Sequence, residues 1–372
     1  MVIEEVLRRA LAGLLDGLPP RQAAGAVERL MDGYRGRAAG APELRDRADV
    51  AAYAAYRMPA TFAAVSAALG DFADRTGGWR PADHLDIGGG TGAAVWAAAA
   101  VWGEDGPDGD PRRTTVLDRS EAALALGNEL AGAPGATAAL RGTEWRRHSL
   151  GGPAQERLPA ADLVTVSYVL GELSEQDRRM LVEAALRAAP AVVLTEPGTP
   201  DGYARIVAAR EMLTAAGLRV LAPCPHSAPC PMVPGEDWCH FAARVNRSSL
   251  HRQLKGGSLP YEDEKFSYVA AVRPELAGAP AGGRVVRRPQ KRKGQVLLDL
   301  CTAGDGLRRT TVTKRHGTDY RRARDAAWGG IWPPHAQDVT EAEDARDARD
   351  GPAPRGAQDV PGNAEGARHA PE

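Results

Sequence analysis

The first 223 residues of this 372-residue chain contain no cysteine. The four cysteines are Cys224, Cys230, Cys239 and Cys301, and the first three fall within sixteen residues. Ordinary buried cysteines would not avoid most of the chain and then crowd into one loop, so the spacing predicts a metal site. Four thiolates can hold either a zinc ion or an iron–sulfur cluster. Disulfides fit less well, because the rest of the chain is typical of a cytosolic protein.

The chain also lacks a long apolar run. No stretch reaches the ~18 apolar residues that a membrane span requires, so we expect no membrane partner. The first nine residues, MVIEEVLRR, carry two acids and two arginines, which predicts an amphipathic helix and not an export signal. These absences predict a cytoplasmic protein. They do not predict an oligomeric state.

Charge is nearly balanced over the whole chain but not locally. The net charge is -1, yet residues 284–324 hold thirteen Lys or Arg against three acids, and residues 333–372 hold nine acids against four arginines. We therefore predict a basic module followed by a disordered acidic tail. Cations beside short β-strands suit the phosphate backbone of RNA, although a solvated surface is the alternative. The candidate RNA-binding residues are Arg287, Arg288, Lys291, Arg292, Lys293, Arg308, Arg309, Lys314 and Arg315, with Arg247, His251, Arg252 and Lys255 as a second basic stretch.

The middle of the chain alternates short apolar runs with helical stretches, which predicts parallel crossover units and a doubly wound α/β sheet. The N-terminal region has helical periodicity, with a second helix ending near Tyr34 and a third and fourth divided near Pro59. The predicted organisation is a helical region over 1–78, a Rossmann-like domain over 79–273 with a three-cysteine loop at 222–260, a small β module over 284–332 with the fourth cysteine, and a tail over 333–372.

A glycine-rich turn follows the first predicted strand, in the sequence DIGGGTG. It places Asp86, Gly88, Gly90 and Gly92 where the backbone can approach a nucleotide-like ligand, at the start of a helix. Asp118 ends the next apolar run and suits the hydroxyl groups of a ribose. A dinucleotide dehydrogenase and a fold that keeps its glycines only for packing are the alternatives.

Residues 80–273 resemble the class I S-adenosylmethionine-dependent methyltransferases, on the turn DIGGGTG. The resemblance implies S-adenosylmethionine as cofactor and a seven-stranded sheet whose last strand, FSYVAAV, is antiparallel. The segment SYVLGEL from Ser167 differs from the Asn/Asp-Pro-Pro-aromatic motif of amino-group methylation, so no catalytic residue is assigned. Glu172 and Glu196 are candidate positioning groups, with helix capping and packing as the alternative roles.

The chain as a whole resembles the methyltransferase-like proteins of the mitochondrial and bacterial small ribosomal subunit. The segments RMPATFAAV, SYVLGEL, TEPGTP, CPHSAPCP, DWCHF and NRSSLHRQLKGGSLPYEDEKFSY carry the resemblance over about residues 50–330. It implies that the four cysteines hold a 4Fe-4S cluster, with zinc as the alternative metal. It also implies assembly of the small ribosomal subunit through binding of its rRNA. An active rRNA methyltransferase is the main alternative, and an iron–sulfur redox enzyme is a third.

Overall fold

A computed structural model of the chain describes residues 2–16, 25, 47–149, 158–246 and 261–333. The described residues up to Pro333 belong to one compact unit. None of their helices is both long enough and apolar enough to cross a membrane. Several predictions fall outside the described residues: the helix ending near Tyr34, the cations Arg247, His251, Arg252 and Lys255, and the tail beyond Pro333.

The main sheet has the strand order β3-β2-β1-β4-β5-β8-β6, and a further strand, β7, pairs with β8. Strands β1 to β5 are mutually parallel where they pair, and β8 runs antiparallel to β5, β6 and β7. The strands are β1 Asp83–Ile87, β2 Arg113–Asp118, β3 Glu144–Arg147, β4 Leu163–Ser167, β5 Ala191–Pro197, β6 Arg219–Ala222, β7 Phe241–Asn246 and β8 Tyr261–Val272.

The antiparallel strand predicted in FSYVAAV is confirmed, because these residues form the C-terminal half of β8 and pair with β5. The N-terminal half of β8 continues beyond the sheet and pairs with β7, which the sequence did not predict. In β7 buried and exposed residues alternate, so one face of this ribbon packs on the protein.

Helices cover both faces of the main sheet, and an apolar core lies on each side. They are α1 Ile3–Asp16, α2 Arg47–Ala73, α3 Ala93–Trp102, α4 Glu121–Ala131, α5 Ala138–Arg141, α6 Glu175–Ala188 and α7 Pro200–Ala215. The central β-strands are buried on both faces, which explains their nearly continuous apolar sequences.

Helix α2 corrects the prediction of two helices divided at Pro59, since it runs without interruption through this proline. A proline inside a helix removes one hydrogen bond and costs about 3 kcal/mol. Its neighbours Met58 and Ala60 are almost fully buried. The apolar face of α2 therefore gains more from packing on the sheet than the missing hydrogen bond costs.

A second, four-stranded sheet follows the first. It consists of β9 Gly283–Val285, β10 Gln290–Arg292, β11 Gln295–Thr302 and β12 Gly306–Thr313, with helix α8 Thr318–Asp325 packed on it. Strands β11 and β12 lie within residues 284–332, where the sequence predicted a small β module. A two-residue turn, Lys293–Gly294, joins β10 to β11, and Gly294 has the positive φ that such a hairpin turn requires.

Candidate functional site

The glycine-rich turn lies where the strand order of the main sheet reverses, between β1 and β4. Ligands of doubly wound sheets bind at this point, beyond the carboxyl ends of the strands. A cleft of about 480 Å³ opens here, within the range of small-molecule sites. Its walls include Gly88, Gly89 and Gly90 after β1, Asp118 at the end of β2 and Tyr168 after β4.

The glycines of the turn have different roles. Gly88, Gly90 and Gly92 all have positive φ angles, which favour glycine. A Cβ atom at Gly88 would come within 3.0 Å of Val169, and one at Gly92 within 3.0 Å of Trp145, so both positions are closed by packing. A Cβ atom at Gly90 would meet only the Asp118 carboxylate, at 3.8 Å, so Gly90 faces the open cleft.

Asp86 is fully buried behind the glycine turn. Its Oδ1 accepts a hydrogen bond from Thr165 Oγ1 at 2.7 Å, and Thr165 in turn contacts His84 Nε2 at 2.8 Å. Burial raises the pKa of Asp86 to about 7; the Thr165 hydrogen bond opposes this shift and the Asp118 charge adds to it. Asp86 therefore shapes the turn from behind, and its predicted contact with cofactor stays a prediction.

Asp118 holds the turn from the cleft side. Its Oδ2 accepts from Gly90 N at 2.9 Å and its Oδ1 from Ser120 N at 2.8 Å. A carboxylate oxygen can accept a second hydrogen bond, so the group can still receive the hydroxyls of a ribose. Asp118 lies at the end of β2, and its role as a ribose acceptor stays a prediction.

Helix α2 forms a wall of the cleft that the sequence analysis missed. Tyr53, Arg57 and Thr61 line the cleft from this helix. They are spaced four residues apart, so they share one helical face. Polar side chains at this spacing in an otherwise apolar, alanine-rich helix are the signal that could have identified them.

Tyr168 is the one non-glycine residue with a positive φ, 62°, among the described residues. Its hydroxyl donates to Glu264 Oε1 at 3.0 Å, and Arg57 lies 5.6 Å from its ring centroid and 3.5 Å from Glu264. Backbone strain of this kind persists where surrounding contacts enforce it, often at ligand sites. The network joins α2, the end of β4 and the extended half of β8 at the cleft.

The two glutamates singled out in the sequence lie in different surroundings. Glu172 lines the cleft. Burial raises its pKa to about 7; the charge of Arg119 opposes this shift, and the charges of Asp118 and Glu196 add to it. Glu196 is buried, accepts from Leu170 N at 3.0 Å and pairs with Arg205 at 2.7 Å. The packing role is therefore favoured for Glu196, and Glu172 alone faces the cleft.

All four cysteines line one cavity, between the main sheet and β11, together with Tyr203, Arg210, Tyr268 and Arg284. None of them forms a disulfide. Burial and the neighbouring Cys224 and Cys230 raise the pKa of Cys301 to about 12, and burial with the other three sulfurs raises that of Cys239. Across residues 2–16, 47–149, 158–246 and 261–333, no group of three or more His, Cys, Asp or Glu is arranged to hold a metal ion.

The backbone around the cysteines is held by side chains from other elements. Arg210 of α7 donates to His226 O at 2.9 Å and to Ala228 O at 2.6 Å. Arg284 of β9 donates to Pro223 O at 2.9 Å, and Ser267 Oγ to Cys239 O at 2.8 Å. The loop that carries three of the four thiols is thus fixed without any bond between the thiols themselves.

The second sheet divides the predicted RNA-binding cations into two groups. Three of them are paired with acids: Arg287 with Asp237, Arg308 with Asp305 and Arg309 with Asp299. The other six have no acidic partner in the part of the chain that the structure describes: Arg288, Lys291, Arg292, Lys293, Lys314 and Arg315.

The unpaired cations concentrate at one end of the second sheet. Lys293 lies in the turn between β10 and β11, and Lys314 follows β12. The β10–β11 turn and the segment after β12 are in contact, because Lys314 N donates to Gly294 O at 3.2 Å. Arg308 and Arg309 lie toward the opposite end, beside the β11–β12 turn. Among the predicted RNA-binding cations, Lys291, Arg292, Lys293, Lys314 and Arg315 therefore form a group without acidic partners at this end of the second sheet.

The strand order with its single antiparallel strand, and the glycine turn at the point where the order reverses, define a class I methyltransferase-like protein. The model of the family "Mitochondrial small ribosomal subunit Rsm22" matches residues 47–333, and the chain belongs to this family.

The chain is similar to known proteins over part of their length. The chain is 30% identical over 296 residues to the ribosome assembly protein METTL17, mitochondrial, of Homo sapiens, covering 76% of this chain and 62% of METTL17. It is 24% identical over 179 residues to the ribosome assembly protein RSM22, mitochondrial, of Saccharomyces cerevisiae, covering 31% and 28%. The solved DhpI–SAH complex aligns at 18% identity and a TM-score of 0.35, covering 68% and 98%. The chain thus spans less than two thirds of these curated relatives.

The prediction of a cytoplasmic protein is contradicted by these comparisons. The family description and both relatives' names specify the mitochondrion. The prediction was based on the absence of an export signal and of a membrane span, and neither absence distinguishes the cytoplasm from the inside of an organelle.

Proposed function

We propose that this protein is an assembly factor of the small ribosomal subunit, which binds the subunit's rRNA and holds S-adenosylmethionine and a metal centre. The family match over residues 47–333 carries the proposal, because related proteins in the comparison are named ribosome assembly proteins. The cleft, the four-cysteine cavity and the unpaired cations supply a chemical basis for each part.

S-adenosylmethionine is the proposed ligand of the cleft. Gly90 leaves room for the ligand, the N-terminus of α3 follows the turn, and the Asp118 carboxylate can accept from ribose hydroxyls. Asp86, Gly88 and Gly92 shape the turn that presents these groups. The cofactor would bind against α2, whose Arg57 is held by Glu264.

A 4Fe-4S cluster is the proposed occupant of the cysteine cavity, with zinc as the alternative. The chemistry of the donor set supports the proposal, because all four thiols line one cavity and Arg210 and Arg284 lie in its wall to offset the charge of thiolates. The thiols of the described residues are not arranged for metal binding in this structure, so the proposal requires them to move together when the centre forms. Proline follows both Cys224 and Cys230, as it often follows ligands in iron–sulfur loops. Such a centre would join the loop at Cys224–Cys239 to strand β11 at Cys301, so its binding energy would stabilise the fold.

Small-subunit rRNA is the proposed partner of the unpaired cations. In a test of this interaction, Lys293→Gln with Lys314→Gln removes two free charges from the adjoining turns. Arg308→Gln with Arg309→Gln is a matched control, because it removes two charges that Asp305 and Asp299 already neutralise.

We expect the Lys293/Lys314 variant to bind transcribed small-subunit rRNA more weakly. The slope of log affinity against log salt should fall by about 0.7 for each phosphate of single-stranded RNA that the variant no longer neutralises. The Arg308/Arg309 variant should keep most of the parent's affinity and slope. Equal effects of the two variants, or no effect of either, would contradict this assignment of the RNA surface.

Methyl transfer to rRNA is the second candidate function. It is favoured by Glu172, a carboxylate in the cleft wall whose raised pKa suits proton transfer near neutral pH. Transfer of labelled methyl groups from S-adenosylmethionine to rRNA by the purified protein would support this candidate over the purely binding role.

A further inference from the structure

The hydroxyl of Tyr203 touches one of the four cysteine sulfurs. Tyr203 Oη lies 3.1 Å from Cys230 Sγ, and the tyrosine is 8% exposed in the wall of the cysteine cavity. For comparison, His226 Nε2 lies farther from a cysteine sulfur, at 3.6 Å from Cys301 Sγ. Cys230 is therefore the sulfur with a close hydroxyl partner.

The position of Tyr203 is fixed by the start of helix α7. Thr199 caps this helix by accepting from Gly202 N at 3.1 Å, and Pro200 occupies its first turn. A Cβ atom at Gly202 would collide with the carbonyl oxygen of Pro197 at the end of β5. Glycine at this position lets the helix begin directly against the sheet, which places the tyrosine that follows it in the cavity wall.

The direction of the hydrogen bond follows from the chemistry of a loaded centre. A metal-bound cysteine is a thiolate and can only accept, whereas a phenol at neutral pH carries its proton. The hydroxyl must then donate to the Cys230 sulfur. Neither cavity arginine makes this bond to Cys230. Arg284 donates to Pro223 O, Gly329 O and the Asp71 carboxylate. Arg210 donates to His226 O and Ala228 O, and the sulfur that it contacts is that of Cys224.

We propose that Tyr203 is a positioning residue of the metal centre, whose hydrogen bond to Cys230 favours the reduced form of an iron–sulfur cluster. Hydrogen bonds to ligand sulfurs withdraw electron density from the cluster and raise its reduction potential. The inference rests on the proposed 4Fe-4S centre.

The test measures the potential of the anaerobically purified full chain. Dithionite supplies one electron to the cluster, no bond to carbon forms or breaks, and the reduced cluster is followed by electron paramagnetic resonance. Tyr203→Phe removes only the hydroxyl, and we expect it to retain iron with a midpoint potential more negative than the parent's. Incorporation of 3-fluorotyrosine at position 203, a stronger donor of similar size, should shift the potential in the opposite direction.

Tyr268→Phe is the matched control. Tyr268 lines the same cavity, but its hydroxyl donates to Asp71 and not to a sulfur, so its removal should leave the potential unchanged. An unshifted potential in both Tyr203 proteins, or an equal shift in Tyr268→Phe, would overturn the inference. So would iron loss from Tyr203→Phe combined with an unshifted fluorotyrosine protein. If the parent chain bound zinc or no metal, the proposed 4Fe-4S centre itself would be contradicted, before the role of Tyr203 could be measured.

Discussion

Gly90 is the residue at which the backbone would meet a cofactor most closely. At the neighbouring glycines, other side chains leave no room for a Cβ atom: Val169 fills the space beside Gly88, and Trp145 fills the space beside Gly92. At Gly90 the corresponding space is part of the open cleft. The motif DIGGGTG predicted a ligand-binding turn from spacing alone, but spacing could not separate packing glycines from a ligand-facing one. That distinction depends on residues distant in the sequence.

We expect Gly90→Ala to weaken S-adenosylmethionine binding at least tenfold, a free-energy loss of about 1.4 kcal/mol or more. The added methyl group would occupy cleft space beside Asp118. The φ of 54° would also strain an alanine by about 1–2 kcal/mol. Calorimetric titration measures the first effect and urea unfolding the second.

Gly77→Ala separates strain from ligand contact. Gly77 has a similar φ of 61°, and its Cβ would meet nothing within 4 Å. It should lose a similar amount of stability while binding the cofactor as the parent does. If the two variants bound S-adenosylmethionine equally well, the ligand would not lie against Gly90.

Elements show where local sequence patterns suffice and where tertiary packing decides. The parallel strands β1, β2, β4 and β5 and the antiparallel strand β8 were predictable, because strands buried on both faces of a sheet are short apolar runs. Helix α2 was predicted in two pieces, since a proline normally ends a helix and no local signal reveals how much surface the helix buries. The β7–β8 ribbon was not predicted, because β7 is a short strand of alternating buried and exposed residues just after Cys239, and its partner is the polar half of β8.

The packing of β3 on α4 gives an element-scale prediction. Trp145 of β3 lies so close to Gly127 of α4 that a Cβ atom there would come within 3.0 Å of the indole ring. Gly127→Ala should therefore destabilise the protein by about 1–3 kcal/mol through overpacking, although alanine is the better helix former. Gly70→Ala in α2 is the control, since its Cβ would meet nothing within 4 Å, and it should gain about 0.5–1 kcal/mol. Urea unfolding that showed both variants stabilised would mean that Trp145 moves aside at no cost.

At the scale of the whole molecule, the two candidate sites share helix α2. Its residues Tyr53, Arg57 and Thr61 line the cleft at the glycine turn, and Asp71 near its end contacts Arg284 in the wall of the cysteine cavity. The sequence predicted each site separately, from the glycine spacing and from the cysteine spacing. It could not predict their connection, because Asp71 and Arg284 are 213 residues apart and neither belongs to a recognisable pattern.

Arg284 is buried, and its three donor nitrogens contact three different parts of the chain. They reach Asp71 in α2, Pro223 O before the first cysteine and Gly329 O after α8. Cys301 is the register partner of Arg284 in the second sheet. One side chain of the second sheet thus joins helix α2, the start of the cysteine loop and the segment after α8.

We expect Arg284→Ala to lower the free energy of unfolding by about 3–5 kcal/mol, because it removes the closest cationic partner of the largely buried Asp71 carboxylate. Arg309→Ala is the control: it breaks an equally close ion pair with Asp299, but on the surface, and should cost less than about 1 kcal/mol. Urea unfolding measures both changes in stability, and limited proteolysis should cut Arg284→Ala first near the cysteine loop, where Pro223 O no longer has its donor. If the two variants were destabilised by similar small amounts, Asp71 would be adequately served by Tyr268 and Arg75, and the two sites would be joined by the packing of the sheets without Arg284.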